Sequence, residues 1–429
     1  MYKKTILNTG LRVITVPQND TETVTILVLV KTGSKYESKD IAGISHFLEH
    51  MFFKGTTNRK NALEVIEPLD EIGGLCNAFT GEEYTGYWAK VDNKHIDVVI
   101  DWVSDIYLNS TIPAKEIEKE RGVIKEEFNM YLDNPMMYLS EVWKKVLYGD
   151  QPAGRDIIGN KKTIANITRK QIVNYMKSQY TASNSIVCVA GKINEDEIIE
   201  KIKKAFKNIS NKKAQDKETV LENQREPKIL IHKKNTGQSQ VAIGFRGYNN
   251  LHKDRFVLEV ISDLLGGPMS SRMFTEVREK QGLAYYIKTY NDNDTDTGNF
   301  VTFSGLDNKK IFQGITSILK EYEKLTLKKV SEKELQKAKN YLKGKTVLSI
   351  ESSNAKANFY GIQELLKGEI KEINDLFKEI DKVTVEDIMR VSNDVFTFEK
   401  LNLAIIGPFE NKDKFKKILL SYGTKNNKS

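Results

Sequence analysis

The stretch "CVAGKINEDEIIEKIKKAF", residues 188–206, predicts a buried strand that ends at a glycine and is followed by an amphipathic helix. A second stretch of the same pattern, "AIIGPFENKDKFKKILLSY", occupies residues 404–422. The glycines that end the two predicted strands, Gly191 and Gly407, lie 216 positions apart. A unit of strand, glycine and helix therefore occurs twice in the chain.

Two other strand-like stretches repeat at the same distance. They are "TILVLV" (25–30) and "VAIGFR" (241–246), and their first residues also lie 216 positions apart. A constant offset between separated segments indicates an internal duplication more strongly than one match does. Between the copies, residues 209–228 are polar and charged, which is typical of a linker. The sequence therefore predicts one half at 1–208, a linker at 209–228 and a second half at 229–429.

Each predicted half has the same coarse order of strands, helical pairs and a final strand and helix. In the first half the predicted strands lie near 5–16, 24–32, 75–91 and 185–190, and the predicted helices lie near 41–54, 61–72, 94–107, 114–131, 136–147, 168–178 and 194–207. Strands joined both by hairpins and by helices indicate the α+β class. We expect two homologous α/β-sandwich halves, each with a mixed, largely antiparallel sheet and helices on one face.

Composition excludes several function classes. The 429 residues can form two hydrophobic cores, and the net charge of +8 is dispersed among acidic residues. The sequence has no basic stripe with interleaved aromatic residues, so we expect no nucleic-acid partner. No apolar run is long enough to span a bilayer, and the first residues alternate like a strand, so we expect neither a membrane span nor a signal peptide. The two cysteines, Cys76 and Cys188, have no metal-ligand spacing and indicate a reducing, cytoplasmic setting.

The stretch "GISHFLEHMFFKGT", residues 43–56, carries the strongest chemical signal in the chain. On a helix, His46, Glu49 and His50 share one face because they stand at positions i, i+3 and i+4. Two imidazoles in this arrangement can bind Zn²⁺, and the carboxylate between them can accept a proton from an attacking water. This is the inverted H-x-x-E-H motif of zinc peptidases. The alternative is a pair of surface or packed histidines on an ordinary helix.

A catalytic zinc site usually has three protein ligands, so a third must come from elsewhere. The other histidines (His95, His232 and His252) lack paired spacing. The acidic stretch "PAKEIEKERGVIKEEFNMYL", residues 113–132, predicts a helix on which Glu120 and Glu127 flank the inward apolar stripe, whereas Glu126 points away. The pattern alone leaves both Glu120 and Glu127 as candidate ligands. The alternative is that these acidic residues are part of a solvated helix face.

These residues resemble the pitrilysin family of inverted-motif zinc peptidases, particularly the branch of the mitochondrial processing peptidases and their bacterial relatives. In that family the third ligand is a glutamate that follows the second histidine after 76 residues, which corresponds to Glu127 here. A further family glutamate lies seven residues earlier and corresponds to Glu120, whose implied role is to orient a ligand histidine. The resemblance extends over essentially the whole chain. It implies a Zn²⁺ cofactor, His46, His50 and Glu127 as ligands, and Glu49 as the general base.

Two further segments resemble substrate-binding parts of the family. "GGLCNAFTGEEYTGYWAKV", residues 73–91, is similar to an edge strand to which an extended peptide adds as another strand. The implied substrate contacts on it are Asn77, Ala78, Phe79 and Thr80. "SSRMFTEVREKQGLAYYIKTY", residues 270–290, is similar to a segment whose Arg and Tyr contact the substrate backbone, which implies Arg278 and Tyr285. Ordinary roles for these residues are a packed core strand, a surface arginine and a packed tyrosine.

The second half lacks the metal motif. At the 216 offset, the positions of His46, Glu49 and His50 are taken by Ser262, Leu265 and Gly266. The resemblance implies that this half is a degenerate repeat that helps to close a chamber, and that the protein is a homodimer, or a heterodimer with a related chain. The implied function is a zinc endopeptidase for extended or unfolded peptides or precursor segments. A specialised enzyme that processes one peptide precursor would share this mechanism and differ only in its substrate. The alternative is a non-catalytic or partner-dependent subunit of such a peptidase.

Overall fold

The structure is a computed structural model that describes the backbone of residues 2–426 and the side chains of residues 2–422. The chain forms two compact units, and each combines segments from distant parts of the sequence. Unit 1 contains the residues up to Met130, Arg155–Glu218 and Leu348–Glu372. Unit 2 contains Tyr131–Gly154, Thr219–Val347 and the residues from Ile373 onward. The units therefore differ from the predicted division into 1–208 and 229–429.

The strands of unit 1 form one six-stranded sheet in the order β1-β2-β6-β3-β5-β4. They are β1 (Lys3–Ile6), β2 (Arg12–Pro17), β3 (Thr23–Val30), β4 (Leu75–Thr80), β5 (Thr85–Asp92) and β6 (Ser185–Gly191). Only the pair β2 and β6 is parallel, and the remaining pairs are antiparallel. The sheet is therefore mixed and largely antiparallel, as predicted.

The helices of unit 1 connect these strands or cover the sheet. They are α1 (Ile44–Met51), α2 (Ala62–Asp70), α3 (Ile96–Asn109), most of α4 (Ala114–Asp133), α6 (Lys161–Asn166), α7 (Arg169–Gln179), α8 (Glu195–Ala205) and α12 (Ser353–Lys367). Each helix predicted in the first half is present, whereas α6 was not predicted. The strand predicted at 5–16 is instead the hairpin of β1 and β2, because the chain turns at Gly10, whose φ is +86°.

The strands of unit 2 form a five-stranded sheet in the order β7-β11-β8-β10-β9. They are β7 (Lys228–Lys233), β8 (Gln238–Arg246), β9 (Ala284–Asn293), β10 (Gly298–Asp307) and β11 (Leu401–Gly407). The helices of unit 2 are α5 (Pro135–Tyr148), α9 (Arg255–Gly266), α10 (Ile311–Leu327), most of α11 (Glu332–Ser349), α13 (Ile373–Lys382), α14 (Val385–Val395) and α15 (Asp413–Asn426). A π-helical segment, Phe274–Lys280, precedes β9.

The two sheets repeat the same topology. The order β2-β6-β3-β5-β4 in unit 1 corresponds to β7-β11-β8-β10-β9 in unit 2, and each sheet has one parallel pair. The first residues of β2 and β7, Arg12 and Lys228, lie 216 positions apart. The same offset separates Ser185 and Leu401, where β6 and β11 begin. The duplication inferred from the sequence is therefore present in the fold.

Each sheet is covered on both faces, and one of the covering helices comes from the other half of the sequence. In unit 1, α12 packs its Tyr360 against the sheet face that carries Leu27 and Leu29. The opposite face carries Tyr87, whose ring lies 6.2 Å from that of Tyr107 on α3. The predicted layer of helices on one face is therefore incomplete. The burial of β3 agrees with two covered faces. After its first residue, its consecutive residues are all buried, whereas a strand with one exposed face would alternate between buried and exposed residues.

Unit 2 shows the reciprocal arrangement. Trp143 and Val146 of α5, a helix from the first half of the sequence, pack against Ala242 and Ile406 of the sheet. Within residues 209–227 the structure has neither a helix nor a strand, and Val220 is buried in the same core cluster. Among the described residues, no helix is both long enough and apolar enough to cross a bilayer.

Helix α12, from the second half of the sequence, belongs to unit 1, and helix α5, from the first half, belongs to unit 2. Because of this exchange of helices, we expect that the first half of the chain does not fold alone. A fragment of residues 1–208 lacks α12, so Leu27, Leu29 and Cys188, which are buried in the full chain, would be exposed to water. We expect the fragment to aggregate and to show no cooperative thermal unfolding, in contrast to the full chain. Size-exclusion chromatography and calorimetry test this expectation, and a monomeric fragment with a sharp melting transition would contradict it.

Candidate metal centre

The short helix α1 carries the motif of two histidines and a glutamate. Its apolar side chains, which include Ile44, Phe47 and Leu48, are fully buried. The helix begins after Gly43, whose φ is +95° and where an added Cβ would lie 2.5 Å from the carbonyl oxygen of Ile158. Glycine is therefore required at this tight entry into the helix. The polar residues of the motif lie on the remaining face, at the edge of the core.

His46 and His50 converge on Glu127 of α4. The Nε2 atom of His46 lies 3.6 Å from one carboxylate oxygen of Glu127, and the Nε2 atom of His50 lies 3.5 Å from the other. Ligand atoms that bind zinc tetrahedrally at 2.0–2.1 Å are separated by about 3.4 Å. The three side chains are partly buried, with 12%, 19% and 26% of their surface exposed. Two imidazoles and one carboxylate at this spacing fit a catalytic zinc site with one position left for another ligand.

Glu120 lies one layer behind the three candidate ligands. One of its oxygens is 3.1 Å from Nδ1 of His50, and the other is 2.6 Å from Nζ of Lys54. Glu120 therefore contacts the side of the imidazole ring that faces away from Glu127. A carboxylate at this place fixes the orientation of a ligand histidine. The sequence pattern does not indicate Lys54, since its contact with Glu120 is formed only in the folded chain.

Interactions within the site shift the pKa values of Glu127, His50 and Glu120. Contacts with His46 and His50 lower the pKa of Glu127 to about 2. Burial lowers the pKa of His50, but hydrogen bonds to Glu120 and Glu127 outweigh this effect and raise it to about 9. Burial also raises the pKa of Glu120, but the hydrogen bonds to His50 and Lys54 outweigh it and lower the pKa below its ordinary value. The lowered pKa values keep the carboxylates of Glu120 and Glu127 ionised at neutral pH, and the ionised carboxylate is the form that binds a metal cation.

Glu49 contacts the edge strand β4 and is not part of the cluster of His46, His50 and Glu127, whose ligand atoms lie within 4.8 Å of one another. Its carboxylate accepts a hydrogen bond of 2.5 Å from the hydroxyl of Thr80. Thr80 was predicted as a substrate contact, and the structure adds a contact with the candidate base. The hydroxyl of Thr80 thus fixes the position of one oxygen of Glu49.

The remaining residues predicted on β4 differ in exposure. The strand forms the edge of its sheet and, among the described residues, pairs only with β5. Asn77 is exposed, and its side-chain oxygen accepts a hydrogen bond of 2.8 Å from the amide of Ala78. Phe79 is partly buried and packs its ring over Gly86, where a Cβ would lie 2.3 Å from the ring. The backbone of Asn77 and Ala78 is thus a better candidate for peptide contact than the ring of Phe79.

Arg278 and Tyr285 lie in unit 2. Arg278 is part of the π-helical segment, and its guanidinium lies 4.5 Å from the centre of the Phe274 ring. Tyr285, on the edge strand β9, is 73% exposed. The packed tyrosine of the ordinary interpretation is therefore not observed, and a role of either residue in substrate binding stays a prediction.

The second half has a different chemistry at the corresponding place. The equivalents of the motif residues, Ser262, Leu265 and Gly266, lie on α9. Next to them, buried Asp263 accepts a hydrogen bond of 2.8 Å from Lys345 of α11. An ion pair joins these two helices, whereas the equivalent helices of the first half are joined through the histidines and glutamates.

Comparisons with known proteins agree with this asymmetry. Residues 12–161 match the family described as insulinase (peptidase family M16), and residues 166–342 match the peptidase M16 inactive domain. The chain is 36% identical over 412 residues to an uncharacterized zinc protease, YmxG, of Bacillus subtilis, with 96% of this chain and 99% of the relative covered. It is 32% identical over 403 residues to an uncharacterized zinc protease of Rickettsia felis, with 94% and 96% covered.

A solved structure shows the same fold over nearly the whole chain. A protease from Helicobacter pylori superposes with a TM-score of 0.89 at 27% sequence identity and covers 95% of this chain and 99% of its own. The resemblance to the pitrilysin family and the predicted two-fold repeat of α/β halves are thereby confirmed. With matches to both domains and relatives that extend over the full length, the chain belongs to peptidase family M16.

Proposed function

We propose that the protein is a zinc-dependent endopeptidase that hydrolyses peptide bonds in extended or unfolded peptides or precursor segments. The observation that supports this proposal most strongly is the spacing of 3.5–3.6 Å between the two imidazole nitrogens and the Glu127 carboxylate. His46, His50 and Glu127 would hold the zinc ion, and Glu120 would orient His50. When bound, zinc supplies a Lewis acid that lowers the pKa of a nearby water and stabilises negative charge on the scissile carbonyl.

The side chains of the protein provide the proton transfers. Glu49 accepts a proton from the attacking water as the new carbon–oxygen bond forms. It then donates this proton to the amine that leaves when the carbon–nitrogen bond breaks, so the carboxylate is regenerated. Thr80 keeps Glu49 in place by its hydrogen bond, and general acid–base catalysis of this kind contributes about 10²- to 10⁴-fold to the rate.

The edge strand β4 would bind the substrate backbone. An extended peptide that pairs with it gains main-chain hydrogen bonds and needs little side-chain identity. The amide of Ala78 donates a hydrogen bond to the side-chain oxygen of Asn77. A carbonyl oxygen of the bound peptide would replace this side-chain oxygen as the acceptor. This mode of binding selects substrates that are extended, and it explains why a folded protein would be a poor substrate.

The degenerate half and the assembly complete the proposal. The match of residues 166–342 to an inactive domain supports a non-catalytic role for the second half in a closed chamber, with Arg278 and Tyr285 as contacts to the substrate. We infer a homodimer, or a heterodimer with a related chain, in a cytoplasmic setting. Free Cys76 and Cys188 are consistent with a reducing compartment.

Cleavage of a quenched fluorescent peptide of about ten residues tests the proposal. We expect hydrolysis that is lost on zinc removal by a chelator and restored by added zinc. The same protein sequence offered in folded and in denatured form tests the preference for extended chains. Equal cleavage of both forms would contradict a closed chamber, whereas zinc-loaded protein that cleaves only after a related chain is added would indicate a partner-dependent subunit.

Glu120→Gln should weaken zinc binding about 10- to 100-fold, because the neutral amide no longer holds the His50 ring as an ionised acceptor. The matched control is Glu118→Gln, since Glu118 lies on the same helix and is exposed. Zinc affinity is measured by competition with a chromophoric chelator. Equal affinities of the two variants would show that Glu120 does not support the metal site.

A further inference from the structure

A buried carboxylate lies at the beginning of α1, outside the metal motif. Glu37 is only 3% exposed. One of its oxygens accepts a hydrogen bond of 2.7 Å from the amide of Gly43, and the other accepts one of 2.8 Å from the amide of Ser45. The first turn of a helix has amides without partners inside the helix, and Gly43 has no side chain to cap them. Glu37 therefore caps the helix from six residues upstream of Gly43.

A set of hydroxyl groups fixes the same turn from a second side. The hydroxyl of Tyr175, on α7, lies 2.8 Å from the hydroxyl of Ser45 and 2.8 Å from that of Thr32 at the end of β3. All three side chains are buried. In addition, Arg155 donates a hydrogen bond of 3.1 Å to the backbone oxygen of Glu37. The first turn of α1 is thus connected to the sheet, to α7 and to the segment that follows α5.

The length of α1 makes this anchor important for the metal site. The helix has only eight residues, and helices this short are not stable by themselves. His46 is its third residue, next to Ser45, so a shift of the first turn moves His46 directly. His50 is held separately through Glu120, as described above. The distance between His46 and Glu127 therefore depends on the first turn more than the distance between His50 and Glu127 does.

The ionisation of Glu37 is unfavourable for stability. Burial raises its pKa to about 7, even though the two amides and Arg155 act in the opposite direction. The pKa of Glu37 is higher in the folded chain than in the unfolded chain, so protonation of Glu37 favours the folded state. This contribution to the free energy of unfolding is fully present below the ordinary pKa of 4.5 and is lost as the pH rises through 7. A buried carboxylate at this position is thus not explained by stability alone.

From this geometry we infer that Glu37 is a positioning residue, whose carboxylate holds the first turn of α1 so that His46 meets Glu127 at ligand distance. This inference rests on the proposed zinc site. It assigns to Glu37 no contact with the substrate or the metal. The expected consequence of its loss is a weaker metal site in a protein that is still folded.

The test compares Glu37→Gln with Glu364→Gln. Glu364 is equally buried and lies on α12, where it accepts a hydrogen bond from Arg12. Zinc affinity is measured by chelator competition, and the Tm is measured on the same samples above pH 7. We expect Glu37→Gln to bind zinc about tenfold more weakly with a small change in Tm, since removal of a buried charge offsets the lost hydrogen bonds. We expect Glu364→Gln to lower the Tm and to keep the wild-type zinc affinity.

Wild-type zinc affinity in Glu37→Gln, or equal weakening in both variants, would overturn the inference. If Glu37→Gln does not fold, Glu37→Asp replaces it in the test. Aspartate keeps the charge, but its side chain is one methylene shorter, so the carboxylate is withdrawn from the amides of Gly43 and Ser45. We expect about threefold weaker zinc binding in Glu37→Asp, and wild-type affinity would overturn the inference in this variant as well. Zinc that binds to the wild type without any peptide hydrolysis would contradict the proposed endopeptidase, whereas the comparison of affinities would still decide the role of Glu37.

Discussion

Glu49→Gln should lower kcat/KM for a quenched fluorescent peptide by about 1,000-fold or more, while the zinc content stays at the wild-type level. Glutamine has nearly the same shape as glutamate and can keep the hydrogen bond to Thr80. It cannot accept the proton of the attacking water, so the step that needs a base loses its acceptor. The zinc content is expected to stay unchanged because the carboxylate of Glu49 is hydrogen-bonded to Thr80 of β4 and is not part of the cluster of His46, His50 and Glu127.

The matched control is Glu71→Gln, since Glu71 follows α2 and is exposed. We expect this control to cleave the peptide like the wild type. Equal cleavage by Glu49→Gln would indicate a contaminating protease or a different base. Loss of zinc together with loss of cleavage would instead assign Glu49 to the metal site.

Glu127→Gln should remove zinc almost completely, from about one ion per chain to less than about 0.1, and should abolish hydrolysis with it. The carboxylate is the anionic ligand of the proposed set, and a neutral amide is a much weaker ligand for zinc. Glu126→Gln is the control, because Glu126 is the neighbouring residue on the same helix and its side chain is exposed. Metal analysis after gel filtration, together with the peptide assay, measures both effects.

A Glu127→Gln variant that retains zinc and activity would exclude Glu127 as a ligand. Loss of zinc in Glu126→Gln would show that the helix register differs from the one described.

The local part of the site could be predicted from the sequence. His46, Glu49 and His50 lie within one helical turn, so their common face follows from the helical period alone. The third ligand, on α4, could not be predicted from the helical period, because this period leaves Glu120 and Glu127 equivalent. Only the resemblance to a family distinguishes between them. The structure places both near the histidines, Glu127 facing both rings and Glu120 behind His50.

Contacts between elements far apart in sequence could not be predicted in this way. The hydrogen bond from Thr80 to Glu49 and the cap that Glu37 provides for α1 depend on how loops and strands pack, and no periodic pattern reports on them. The exchange of α5 and α12 was also missed, although the continuous apolar run "TILVLV" is a sign of a strand that is buried on both faces. The break at Gly10 between β1 and β2 had a local signal, the turn-forming "NTG", that the alternation of the flanking residues obscured.

We propose that one zinc ion is bound by His46, His50 and Glu127. An anomalous difference map measured at the zinc absorption edge on crystals of the purified protein tests it most directly. We predict a single strong peak between the two Nε2 atoms and the carboxylate of Glu127. A peak bound by other residues, or the absence of a peak at this place in crystals of active, zinc-containing protein, would contradict this ligand set.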